Sequence, residues 1–156
     1  SRILPIDLDR KCQFFQKSYP RQTLFEPKEI NRNHHCFIDE ADYYNDMAQS
    51  WFGLSCKRGG FDAMRNYEII AAGSVLLYRD YHSKPHGCSP GDLPAVSYSS
   101  IEELNHIVND LLPNNKPTDE YLDILYNQRK WLLKNGTTEA RAKYIIKVLE
   151  SYVNNR

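Results

Sequence analysis

The residues best placed to do chemistry lie in one run, Cys56-Lys57-Arg58-Gly59-Gly60-Phe61-Asp62-Ala63-Met64-Arg65, with Glu68 three positions further on. Glycines let backbone N–H groups come close to an anion, and Lys57 and Arg58 put full positive charge at the mouth of the same loop. An arginine fork such as Arg65 suits phosphate oxygens, and a carboxylate such as Glu68 suits a ribose diol. On a helix, a spacing of three puts Arg65 and Glu68 on one face. Phosphate recognition followed one turn along by sugar recognition describes a nucleoside diphosphate site. Each part also has a plainer reading. Taken alone, Lys57 and Arg58 read first as solvated charges, Gly59-Gly60 as a turn, and Arg65 with Glu68 as a surface ion pair worth about 0.2–0.5 kcal/mol. The joint arrangement at a strand-to-helix junction is what favours a site.

That junction depends on the elements around it. Trp51 to Cys56 reads as a strand, Lys57 to Gly60 as a loop, and Phe61 to Ala72 as a helix closed by Gly73. Val75 to Tyr78 is an apolar run without polar alternation, as expected of a strand inside a parallel sheet. Upstream, Cys12 to Gln16, Thr23 to Glu26 and His35 to Ile38 read as short strands, and Ala41 to Ser50 as a helix with Tyr44, Met47 and Ala48 on one face. Downstream, Ala95 to Tyr98 reads as a strand. Ser100 and Glu103 form a capping box for a helix whose stripe is Ile101, Leu104, Ile107, Val108 and Leu111. Tyr121, Leu122, Leu125 and Leu132 line a further helix stopped by Asn135-Gly136. A last one starts at Thr137 or Thr138 and carries Ile145, Val148, Leu149 and Tyr152. Strands alternating with helices predict an α/β layered, Rossmann-like domain with a mostly parallel sheet, the closing helical pair packed outside it.

In such a sheet ligands bind at the carboxyl ends of the strands, which is where the basic glycine loop falls. Residues 79 to 94 form a long loop with three prolines and two glycines, and loops of this length are often functional. Its His82 and His86 are candidates for donor contact or simply exposed. Asp62 lies close to the basic loop but also fits an ordinary helix-start acid. His34-His35-Cys36 invites a metal reading, yet neighbours on a strand point to opposite faces, so no metal is expected there. Cys56, with no histidine near it in sequence, reads as an inert strand thiol.

Formal net charge is zero, from 20 basic and 20 acidic residues, and no basic stripe is present, so a general nucleic-acid binder is excluded. The four cysteines are far apart, with no C-x-x-C pair, which removes zinc-ribbon and thioredoxin readings and suits reduced thiols in the cytoplasm. No run reaches the length of a membrane span. The opening Ser1-Arg2-Ile3-Leu4-Pro5 reads as an internal boundary, so a further domain upstream is expected.

The stretch from Tyr43-Tyr44 through Ser50-Trp51-Phe52 to Lys57-Arg58-Gly59-Gly60 resembles the entry to the donor-binding domain of exostosin-like and CgeB-like glycosyltransferases, of the GT-B type. The family order continues as Arg-x-x-Glu and then small residues and Gly before an apolar strand. Here those positions read Arg65-Asn66-Tyr67-Glu68, then Ala71-Ala72-Gly73 and Val75-Leu76-Leu77. The resemblance implies that residues 1–156 form one nucleotide-sugar-binding domain, excised from a longer enzyme. Lys57, Arg58, Gly59, Gly60 and Arg65 are expected to hold the donor diphosphate, with Arg58 and Arg65 stabilising the leaving group, and Glu68 to accept from the ribose hydroxyls. The loop near Asp39 would approach the base. No cofactor or metal is implied, and no catalytic base is named. The expected partners are a nucleotide sugar, an acceptor glycan or glycoconjugate, and an N-terminal acceptor domain. The alternative is a non-catalytic module of the same fold that binds a nucleotide or a partner. The sequence departs from the family at Val75-Leu76, where Ile-Pro is frequent. It departs again at Gly60, where retaining enzymes often carry a second glutamate; this leaves the stereochemistry open.

Overall fold

A computed structural model of the chain describes residues 3–24, 37–88 and 92–154. Four strands, β1 (Gln13–Phe15), β2 (Ser50–Cys56), β3 (Val75–Arg79) and β4 (Val96–Tyr98), pair in the order β1-β2-β3-β4, every pair parallel. Among the described residues five α-helices accompany them: α1 (Glu40–Ala48), α2 (Met64–Ala71), α3 (Ile101–Leu111), α4 (Asp119–Trp131) and α5 (Thr138–Asn154). The α/β, mostly parallel, Rossmann-like layering expected from the alternation is the one found.

Strand pleating divides the core. Phe52 and Leu54 of β2, Val75 and Leu77 of β3, and Tyr98 of β4 pack with Leu104 and Leu111 of α3 and Tyr121 and Leu125 of α4. On the opposite face Leu76 meets Met47 of α1 and Tyr67 and Ile70 of α2. Burying each large apolar side chain stabilises the fold by about 1.5–3 kcal/mol. Helix α2 lies so close to β2 that a Cβ at Gly53 would fall 2.3 Å from Ile69 Cγ2, so only glycine fits there. Helix α3 starts at the expected N-cap: Ser100 Oγ accepts from Glu103 N–H, while the Glu103 carboxylate reaches one residue further back than a capping box requires and accepts from Ser99 N–H. Gly73, at φ +84°, closes α2 in the left-handed conformation that favours glycine.

Helix α4 crosses the amino ends of the strands and satisfies them. Tyr121 donates to Trp51 O at 2.7 Å, and Gln128 exchanges two hydrogen bonds with the backbone of Leu76 while donating to Pro94 O. Gln16 does the same for Leu54 on the β1 side. At this edge the Lys11 Nζ donates to Ser50 O (2.6 Å), Gly73 O (2.7 Å) and Ser74 Oγ (3.2 Å), tying together the ends of α1 and α2. Burial first, then the Arg129 and Arg10 charges, pull the Lys11 pKa from 10.5 down to about 7, against a smaller opposing pull from Asp7.

Three expectations are corrected. Thr23-Leu24 lies in a 3₁₀ turn, Arg21–Leu24, rather than a strand, with Thr23 Oγ1 donating to Pro20 O, a local bond that competes with strand pairing; Phe25-Glu26 are outside the described residues. Of the expected strand His35 to Ile38, the first two residues are also outside them, while Phe37 is irregular and Ile38 begins the bend, Ile38-Asp39, that leads into α1. The closing helices divide. Helix α4 packs on the sheet, but α5 has no buried residue, and Ile145, Val148, Leu149 and Tyr152 stand exposed. Among the described residues no helix is long and apolar enough to cross a membrane.

Three stability outcomes follow from these contacts. Gly53→Ala is expected to cost about 1–3 kcal/mol through overpacking. Adding Ile69→Ala should recover part of that cost, so denaturant unfolding of the double variant will fall short of the summed losses. Gln128→Leu keeps the bulk but strands the N–H and C=O of Leu76, at roughly 1–3 kcal/mol per group. For Lys11 the folded pKa lies below the unfolded one, so the unfolded chain binds more protons between about pH 7 and 10.5 and stability rises with pH across that window. Lys11→Met removes this contribution, and the stability gap between wild type and variant should shift in favour of wild type from pH 7 to pH 9.

Candidate functional site

The basic loop leaves the carboxyl end of β2 at Cys56, beside the end of β3 at Arg79. Helix α2 begins three residues later than the sequence predicts, because Ala63 is extended and offers no capping side chain. The intervening backbone is held from inside: Asn66 Nδ2 donates to Phe61 O at 3.0 Å, and Ser55 Oγ donates to Asn66 Oδ1 at 2.6 Å. Phe61 is buried and stacks on Tyr78, with ring centroids 6.1 Å apart. Residues 57 to 60 are thus an exposed loop projecting from a fixed base.

Lys57 bends over the Phe61 ring, its Nζ 5.1 Å from the centroid. Arg58, Gly59 and Gly60 are exposed. An added Cβ at Gly59 or Gly60 meets nothing within 4 Å, and neither residue has positive φ. These two glycines are required neither by backbone conformation nor by packing, unlike Gly53 and Gly73. Because α2 starts late, Arg65 sits in its first turn rather than one turn in. Its Nη1 donates to the Ser18 carbonyl, in the turn that follows β1. Glu68 Oε2 accepts from the Tyr43 hydroxyl of α1 at 2.8 Å. Among the described residues no ion pair joins Arg65 to Glu68, which removes the plain surface-pair reading.

The further candidates scatter. Asp39 caps α1, its Oδ1 accepting from Ala41 N–H at 2.7 Å. Asp62 accepts from Tyr67 OH at 2.6 Å and faces Arg141 of α5 at 3.8 Å, a clasp between α2 and α5 rather than a free acid at the loop. His82 is exposed, its Nδ1 3.0 Å from Ser97 Oγ. His86 is exposed in the turn before Gly87. His34, His35 and Cys36 lie outside the described residues. Cys56 is buried, and burial pushes its thiol up against the opposing charges of Arg58, Arg79 and Arg65, in keeping with an inert strand cysteine.

A cleft of about 300 Å³ opens at the carboxyl ends of β2 and β3, walled by Cys56, Lys57, Phe61, Arg79, Asp80 and Ser83. Arg65 and Glu68 are not in its wall; they lie towards α1. The Arg65 charge nevertheless lowers the pKa of both Cys56 of the cleft and the Tyr43 phenol that holds Glu68, so both lie within its electrostatic reach. Arg79, Asp80 and Ser83 were not singled out from the sequence. The available signal was Arg79-Asp80 breaking an apolar strand at its carboxyl end, a position where polar residues face the ligand side of such sheets. Asp80 turns the chain there in the left-handed region, at φ 57°.

This arrangement combines a basic loop on a helix start, a cleft at the carboxyl strand ends and a carboxylate one turn along α2, and it can neutralise a diphosphate while accepting from hydroxyls. No curated protein and no solved structure matched the chain. A family model did, over residues 7–147, which takes in the sheet, the cleft and the first four helices. The chain belongs to the glycosyl transferase-like family.

Proposed function

We propose that the domain binds the nucleoside diphosphate part of a sugar donor at the carboxyl edge of its sheet and supports transfer of the sugar to a glycan or other acceptor. The observation that carries this is the pair Gly59-Gly60. The fold has no use for two glycines there, whereas a diphosphate resting on their N–H groups does. In this reading Lys57, Arg58 and Arg65 surround the diphosphate, and Arg58 and Arg65 offset the charge that develops on it as the sugar–phosphate bond breaks, in place of a bound metal ion. Glu68 accepts from the ribose hydroxyls. The cleft between Lys57 and Asp80 takes the donor sugar or its phosphates.

Membership of the glycosyl transferase-like family supports this chemistry. The order of residues 43 to 77 supports the GT-B type and a place near the exostosin-like and CgeB-like branch. An acceptor domain elsewhere in the protein would supply the acceptor and any general base. Helix α5 carries an exposed apolar face, but nothing in it favours a second reading over this one.

Calorimetric titration with UDP, GDP, ADP and CDP and their sugars, first in EDTA and then with magnesium, tests the proposal. One nucleotide should bind in EDTA. Arg65→Ala and Glu68→Ala should each weaken it by about tenfold or more. A Gly59→Ala, Gly60→Ala double variant should unfold at the wild-type temperature yet bind less tightly. Unchanged affinity in all three variants would remove the site from this loop, and dependence on magnesium would overturn metal independence.

A further inference from the structure

Glu68 is a flexible side chain with three rotors, and a carboxylate meant to meet two vicinal hydroxyls gains most if its orientation is set beforehand. The structure supplies a group that sets it. Tyr43, 25 residues earlier on α1, reaches across to α2 and donates its hydroxyl to Glu68 Oε2 at 2.8 Å. Its ring is fixed in turn, edge-on to Phe37 (centroids 6.3 Å apart) and to Tyr44 (5.5 Å). Burial raises the Tyr43 phenol well above its ordinary pKa, with the Arg65 charge acting the other way, so the group stays protonated and remains a donor. A carboxylate offers about four lone-pair positions on two oxygens, so the bond from Tyr43, together with the Tyr44 phenol that also faces Glu68, leaves acceptor capacity for an incoming diol.

We infer that Tyr43 is a positioning residue that presets the Glu68 carboxylate for the ribose hydroxyls of the nucleotide. The inference rests on the nucleotide reading of Glu68 given above. The competing account is a plain clasp between α1 and α2, which would affect stability but not which nucleotide is preferred.

Tyr43→Phe keeps the ring contacts and removes only the hydroxyl. Binding is measured for the tightest ligand among UDP, GDP, ADP and CDP and for its 2′,3′-dideoxy counterpart, with thermal unfolding recorded for each variant and Tyr126→Phe, on the exposed face of α4, as control. The expected result is a loss of about tenfold for the ribonucleotide in Tyr43→Phe, the scale of one charge-assisted hydrogen bond, with the dideoxy ligand unaffected and Tyr126→Phe silent. If Tyr43→Phe weakens both ligands equally or neither, while Glu68→Gln still weakens the ribonucleotide selectively, Tyr43 is only a clasp and the inference fails alone. If the wild type binds no nucleoside diphosphate, or does not distinguish it from the dideoxy form, the nucleotide reading of Glu68 fails and takes the inference with it.

Discussion

Strands β2 and β3 run past their neighbours, and the peptide groups left over are buried where no water can satisfy them. Strand β1 pairs with β2 only from Ser50 to Phe52, and β4 reaches β3 only from Leu77 onward. Gln16 takes over at Leu54 and Gln128 at Leu76, each amide giving one donor and one acceptor to a single backbone residue. Both glutamines are fully buried. Each acts as one residue of a missing strand, and an orphaned pair there would cost more than most single core contacts contribute. The two long strands, and therefore the edge from which Lys57 and Arg79 project, depend on this substitution of side chain for backbone.

Legibility in the sequence follows how local each determinant is. Strands β2 and β3 are continuous apolar runs between turn residues, and the Ser100–Glu103 box and Gly73 are signals contained in four or five residues. These elements lie where the pattern put them. Thr23-Leu24 and Phe37-Ile38 carry the same strand-like residue types, but a strand needs a partner and neither stretch has one among the described residues; local turn bonding prevails. The start of α2 was misplaced because its first turn is decided by Asn66 reaching back to Phe61 and across to Ser55, a network invisible to periodicity.

The candidate site divides in the same way. Lys57 to Gly60 was legible because glycine next to basic residues at a strand end is a local pattern. That the fold leaves Gly59 and Gly60 uncrowded is a fact of packing and was not. Tyr43 with Glu68, Ser18 with Arg65, and the cleft wall at Asp80 and Ser83 join residues from separate crossovers. Spacing could put Arg65 and Glu68 on one face, but not show that each faces a different partner. On α5 the stripe Ile145, Val148, Leu149 and Tyr152 correctly marks an apolar face, while amphipathic periodicity cannot say what covers it. Its attachment runs through Arg141 at the amino end, over the Tyr67 ring and towards Asp62.

The two edges of the sheet are treated oppositely, and this asymmetry is the physical argument for where function sits. At the amino edge polar side chains close on the backbone: Lys11 gathers two carbonyl oxygens and the Ser74 hydroxyl from the ends of α1 and α2, Gln128 completes β3, and Tyr121 closes on Trp51. Lys11 is held there at the expense of its own ionisation, as its lowered pKa shows. At the carboxyl edge the basic residues Lys57 and Arg58 are left exposed, on a loop whose base is fixed and whose glycines are uncrowded. A fold that uses buried polar groups to close one edge, while keeping charge and open backbone at the other, leaves the groups suited to an anion at the open edge, in accord with the proposed donor site.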